Sequence, residues 1–95
     1  RSAYSSAKSA LITQSKVLSR ELGVHNIRVN TIAPGLTDTD MMKKNTPEEI
    51  LSEVKSRISL KRIADPEEIA NVVLLLSSDL TSYITGQVIR VDGGI

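Results

Sequence analysis

Two β-branched runs of strand length, Ile27-Arg-Val-Asn-Thr-Ile32 and Gln87-Val-Ile-Arg-Val91, stand far apart in a chain of 95 residues, and most of what precedes and separates them reads as helix. Strands separated by so long a helical stretch do not form a hairpin. They pair in parallel through a crossover connection. The predicted order is helix, strand, helix, helix, strand, an α/β arrangement. Two strands and three helices do not cover both faces of a parallel sheet, so the chain reads as a piece of something larger, an expectation in keeping with a start at Arg1 rather than Met.

Ala3, Ala7, Ala10, Leu11, Val17, Leu18 and Leu22 recur at helical spacing and predict a first helix from Ser2 or Tyr4 to Leu22, with Gly23 as its left-handed stop. Val24, His25 and Asn26 turn the chain into the first strand, over 27–32. Ala33-Pro34-Gly35 ends that strand in a sharp bend, because proline has no N–H to donate and the glycine is free to take a positive φ. In open α/β sheets this carboxyl end of a strand is where ligands bind. Leu36 to Asn45 reads as an irregular loop. Thr46-Pro47-Glu48-Glu49 has the form of a capping box and opens a helix carrying Ile50, Leu51, Val54 and Ile58. Asp65-Pro66-Glu67-Glu68 repeats the device before an apolar helix from Ile69 to Ser77, and the acidic residues of both starts are assigned to the helix dipole. A turn from Asp79 to Gly86 leads to the second strand, over 87–91, and to Asp92-Gly93-Gly94.

The stretch richest in chemistry is Tyr4-Ser-Ser-Ala-Lys8. On a helix the i, i+4 spacing stacks Tyr4 and Lys8 on one face. A free phenol, with a pKa of about 10, is a poor acid or base near neutrality. A cation beside it favours the phenolate and makes it a usable general acid or base. Ser5, Ser6, Ala7, Ser9 and Ala10 are small and allow close approach to the backbone.

Composition removes several alternatives. Twelve basic and eleven acidic residues leave a formal charge of +1, spread along the chain, and there is no Trp or Phe to stack on bases, so no nucleic-acid partner is expected. The absence of Cys excludes disulfides and thiolate zinc sites; no metal site is expected and the reading is cytoplasmic. Val72 to Leu76, the longest apolar run, is too short to span a bilayer, and no membrane partner is expected.

Tyr4-Ser-Ser-Ala-Lys8, Asn26-Ile-Arg-Val-Asn30, Pro34-Gly-Leu-Thr-Asp-Thr39, and Thr85-Gly86 leading to Val91-Asp-Gly-Gly94 occur in an order and at separations that resemble the C-terminal part of a short-chain dehydrogenase/reductase, nearest its 3-oxoacyl-acyl carrier protein reductase group. The resemblance runs from the first residues to the last. It implies one segment, 1–95, of a doubly wound, parallel-sheet Rossmann fold whose N-terminal half is missing. It also implies an NAD- or NADP-dependent enzyme acting on a small-molecule carbonyl/alcohol pair and assembling as a homo-oligomer, a dimer or a tetramer. By the same resemblance Tyr4 is the general acid/base, and Lys8 lowers its pKa and holds the nicotinamide ribose. Pro34 and Gly35 lie beside the nicotinamide, Thr37 meets its carboxamide through the backbone, and the Thr39 hydroxyl lies near the pyrophosphate. Residues 36–58 correspond to the family's substrate lid, in which Met41 and Met42 touch substrate. The 95 residues hold no glycine-rich phosphate loop, no residue to read the adenosine ribose and no catalytic serine upstream of the tyrosine, so the chain alone is expected to be inactive. The alternative is a non-catalytic segment that associates with itself or a relative.

Other chemistry-bearing residues have plainer readings. His25 is expected in solvent, Asn30 on backbone groups at a strand end, Arg28 and Arg90 in pairs or along apolar surface, and Tyr83 in a structural turn. Met41 and Met42 serve substrate contact or packing equally well. The core is expected to be thin, and the chain in isolation molten, swapped or aggregated.

Overall fold

The computed structural model describes residues 2–95, with side chains from Ser6 onward. The elements are α1 (Ser2–Leu22), a 3-10 turn (Gly23–His25), β1 (Thr31–Pro34), α2 (Asp40–Asn45), α3 (Glu48–Arg57), α4 (Pro66–Leu76), a second 3-10 turn (Asp79–Thr81) and β2 (Val88–Val91). β1 pairs with β2. Thr31 N–H donates to Gln87 O and Gly35 N–H to Val91 O, so the register advances together on both strands and the pairing is parallel, as predicted. The chain divides into two compact units, Arg1–Ile32 with Leu75–Ile89 and Ala33–Leu74 with Arg90–Ile95.

In the first unit α1 has the predicted bounds, but Gly23 is not its left-handed stop. The helix tightens into the turn Gly23–His25, and the left-handed residue is Asn26, at φ 60° and ψ 33°, its N–H donating to Gly23 O. Asparagine tolerates that conformation better than most side chains. β1 begins four residues later than predicted, because polar side chains stand where backbone pairing was expected. Val29 N–H donates to Thr85 Oγ1 at 3.0 Å, and Asn30 Oδ1 accepts from Gln87 N–H at 3.1 Å while its Nδ2 donates to Ile84 O at 3.0 Å. Asn30 thus has the backbone-satisfying role expected of it. Arg28 donates to Ser78 O at 3.0 Å, Ile84 O at 3.2 Å and Thr81 Oγ1, gathering the turn after α4 around one guanidinium. Ser19 is buried, and a Cβ on Gly86 would lie 2.8 Å from its Oγ. His25 is exposed, and Tyr83 is fully exposed, so its expected structural role is not one of packing.

The second unit departs further from expectation. Residues 36–45 are not all loop, since α2 occupies Asp40–Asn45 with Thr39 as its N-cap, Oγ1 accepting from Met42 N–H at 3.1 Å. Thr46 does not cap α3. Pro47 takes that place with no side-chain bond, so Glu48 and Glu49 fall one position earlier than in a capping box. At α4 the expected reciprocal bond is present, Glu68 accepting from Asp65 N–H at 3.0 Å, and the same carboxylate is gripped by both terminal nitrogens of Arg62 at 2.6 and 2.8 Å. That pair adds a partner to a glutamate otherwise assigned to the helix dipole alone. Arg90 pairs with Asp92 at 3.0 Å, as one of its two expected roles. Met42 and Ile58 are buried, and with Ser19 they are the buried side chains among the described residues, so the core is thin.

Candidate active site

α1 carries positions 4 and 8 one helical turn apart, the spacing that the proton-transfer reading needs. Lys8 is exposed, and so are the small residues Ser6, Ala7, Ser9 and Ala10 around it. The side chain of Tyr4 lies outside the described residues.

The other expected site residues belong to the second unit, at and after the carboxyl end of β1. Pro34 is the last residue of the strand and is exposed. Gly35 is not among the positive-φ glycines, so the bend does not use that freedom. Its requirement for glycine is steric, because a Cβ there would lie 2.8 Å from Asp92 Cα and 2.9 Å from Asp92 Cβ. Thr37 stands opposite Ala64 in a single parallel bridge. Ala64 N–H donates to Leu36 O and Asp38 N–H donates to Ala64 O. Both bonds use the groups flanking Thr37, so its own N–H and C=O point to the other side of the chain. Its hydroxyl donates to Gly35 O at 3.1 Å. Thr39 Oγ1 accepts the α2 cap bond and keeps its proton to donate elsewhere.

Gly35, Leu36, Thr37, Thr39, Met41 and Met42 line one open hollow together with Asn45 and Thr46. The two methionines differ. Met42 is buried and packs, whereas Met41 is 74% exposed and free to meet a ligand. Asp38 Oδ1, buried without a hydrogen bond, lies 3.4 Å from Nζ of Lys43, in the last turn of α2. Among the described residues no group of three or more His, Asp or Glu is placed to hold a metal ion, and no helix is long and apolar enough to cross a membrane.

Sequence reasoning passed over the groups that brace this hollow. The Arg62 fork holds the Glu68 carboxyl down from its ordinary value of 4.5 to about 2 and steadies the segment that carries Ala64. Gly94 N–H donates to Asp92 Oδ1 at 3.0 Å, which with Arg90 lowers that carboxyl as well. The glycines after Asp92 were expected to let the backbone bend closely around a neighbour, and they do, since a Cβ on Gly93 would lie 2.8 Å from Ile58 and one on Gly94 2.8 Å from Ser59; the part of the Asp92 carboxylate was not foreseen.

The family model described as Enoyl-(Acyl carrier protein) reductase matches residues 1–95. The chain belongs to the short-chain dehydrogenase/reductase family. It is 51% identical over 92 residues to a 3-oxoacyl-acyl-carrier-protein reductase of Chlamydia trachomatis serovar D, covering 97% of this chain and 37% of that protein. The crystal structure of 3-oxoacyl-acyl carrier protein reductase from Brucella melitensis superposes with a TM-score of 0.91 at 39% identity, over 97% of this chain and 34% of that one. A 4-hydroxyisoleucine dehydrogenase solved with NADH superposes with a TM-score of 0.88 at 37% identity, over 99% and 39%. The chain therefore spans little more than a third of the length of the relatives it matches, and its fold is of the Rossmann α/β type expected.

Proposed function

We propose that the protein carrying this chain is an NAD(P)-dependent oxidoreductase that interconverts a carbonyl and an alcohol, with 3-oxoacyl thioesters as the substrate class. The observation that carries the reading is the placement of Tyr4 and Lys8 one turn apart on α1 in a chain matched end to end by the family. In this proposal Tyr4 passes a proton to the carbonyl oxygen in reduction and takes it back in oxidation. The Lys8 ammonium stabilises the phenolate and donates to the cofactor's ribose. A bound nicotinamide supplies or accepts the hydride.

The residues after β1 suit such a cofactor. The outward N–H and C=O of Thr37 complement the acceptor and donor of a carboxamide, and the spare proton of Thr39 suits a pyrophosphate oxygen. Pro34 and Gly35 fix the bend that presents them. Residues 36–58 act as a lid over substrate, Met41 supplying an apolar contact. The 95 residues contain no glycine-rich phosphate loop, so alone they turn over no substrate.

The test is to titrate the protein, as encoded in full, with NADH and NADPH and to follow nicotinamide absorbance with a 3-oxoacyl thioester and with simple ketones. Cofactor-dependent reduction of the thioester is expected. Saturable cofactor binding with no turnover of any carbonyl or alcohol would contradict the reading. A second reading, self-association through this segment, is favoured by Val24, Leu80 and Tyr83, each more than four-fifths exposed. Sedimentation equilibrium on the same protein tests it: a dimer or tetramer is expected, and a monomer at all concentrations contradicts it.

A further inference from the structure

The second unit holds a set of contacts that the proposed reaction does not use. Asp92 lies against Gly35, at the bend that precedes Thr37, with Gly35 N–H donating to Val91 O at 2.9 Å. The Asp92 carboxylate also shapes its own turn, accepting from Gly94 N–H at 3.0 Å while Arg90 holds the other oxygen. Gly93 and Gly94 both take positive φ, 67° and 87°, a conformation that points their carbonyls at the end of α3. Gly93 O accepts from Leu60 N–H at 3.1 Å and Gly94 O from the Ser59 hydroxyl at 2.7 Å. The approach is tight, for a Cβ on Gly93 would lie 2.8 Å from Ile58 Cγ2, and one on Gly94 2.8 Å from Ser59. Ile58 is one of the few buried side chains.

We propose that Asp92 is a positioning residue that ties the Gly35 bend to the far end of α3, so that the segment from Leu36 to Ile58 is pinned at both ends by one turn. The inference rests on the reading of that segment as a lid, and deepens it. A lid fastened at both ends to one small turn does not swing from a single hinge. It moves as a strap whose two ends loosen together. The cofactor-facing groups of Thr37 and the substrate-facing apolar side of α3 then share one anchor, and weakening either end reaches the other.

Two variants of the full protein test this, read first by hydrogen exchange and then by kinetics. Ser59 is exposed, and Ser59→Ala removes only the hydroxyl bond to Gly94, so the fold survives. Expected is faster exchange both around 55–61 and in 36–39, with the substrate KM raised roughly fivefold at little change in kcat. Asp92→Ala is expected to do the same to both segments and to weaken cofactor binding as well. Asp92→Asn, which keeps an acceptor for Gly94 N–H, is expected to return exchange and KM most of the way to their native values. Exchange that quickens only around 55–61 in Ser59→Ala overturns the coupling. So does a Ser59→Ala protein that loses activity in proportion to its folded fraction with unchanged KM, since that is mere destabilisation. Because exchange is read without turnover, a protein with no oxidoreductase activity defeats the functional reading and leaves the coupling to be decided by the exchange result.

Discussion

The face of α1 around Lys8 and the bend around Gly35 are both assigned to one reaction, yet they are built on opposite principles. On α1 the backbone is ordinary helix and everything specific resides in two side chains, with Lys8 exposed and its neighbours small. At the bend the side chains are mostly spent on local structure, Thr37 on Gly35 O and Thr39 on the α2 cap, and the groups left free belong to the backbone. The lesson is that the first region should respond to a change of side-chain chemistry with no change in fold. The second should respond to steric and backbone changes, and tolerate the loss of a hydroxyl.

The largest effect expected is on the helix. Lys8→Met in the full protein lowers kcat by about a hundredfold, leaves the melting temperature within experimental scatter, and moves the basic limb of the pH–rate profile towards the free-phenol value of about 10. A large loss of stability would erase the contrast between the two regions. Gly35→Ala comes next and reverses the pattern. Its new Cβ meets a backbone atom of Asp92, so stability falls by about 1–3 kcal/mol and cofactor affinity falls with it, as denaturant melts and cofactor titration would record. Thr37→Val sharpens the point, because it removes the hydroxyl but keeps the outward N–H and C=O. Cofactor Kd is expected to rise no more than about tenfold, the worth of roughly one hydrogen bond. A far larger change would mean that the side chain, not the backbone, makes the contact.

The smallest effect concerns the bracing of the bend and appears only in acid. Glu68 is lowered in the folded chain, so the stability it lends is complete above its ordinary value of 4.5 and is lost as pH falls through the folded value of about 2. Glu68→Gln should flatten the dependence of stability on pH between those two values and lower stability modestly at neutral pH, where the carboxylate's contribution is complete. Exchange at 36–39 should quicken in acid before that of α1.

Much of this was legible in the chain, and where it was not the reason is physical. α1 was readable to the residue because small and apolar positions repeat over a long helix, and β2 to within one residue because Val88, Ile89 and Val91 crowd β-branched side chains into one short stretch. β1 was misplaced because Asn30 and Thr85 substitute side-chain bonds for backbone pairing, a tertiary event with no local signature. α2 escaped because six residues carry too little periodicity, although Thr39 before Asp40 was a cap signal available to be read. The two proline-led starts looked alike in sequence. They differ because Arg62 reaches Glu68 from before the second, while Thr46 gives the first no cap bond. For the proposed site, Tyr4 and Lys8 were singled out through spacing, and Thr37 through resemblance. The bracing of the bend by Asp92 was not found, because it depends on which backbones approach one another.

The central claim, that the phenol of Tyr4 handles the proton, is tested most directly by Tyr4→Phe in the full protein, with cofactor Kd and single-turnover hydride transfer measured on the same sample. The account predicts cofactor binding within a few-fold of the native protein and a transfer rate at least about a hundredfold lower. Native-like transfer in the Phe variant would contradict it.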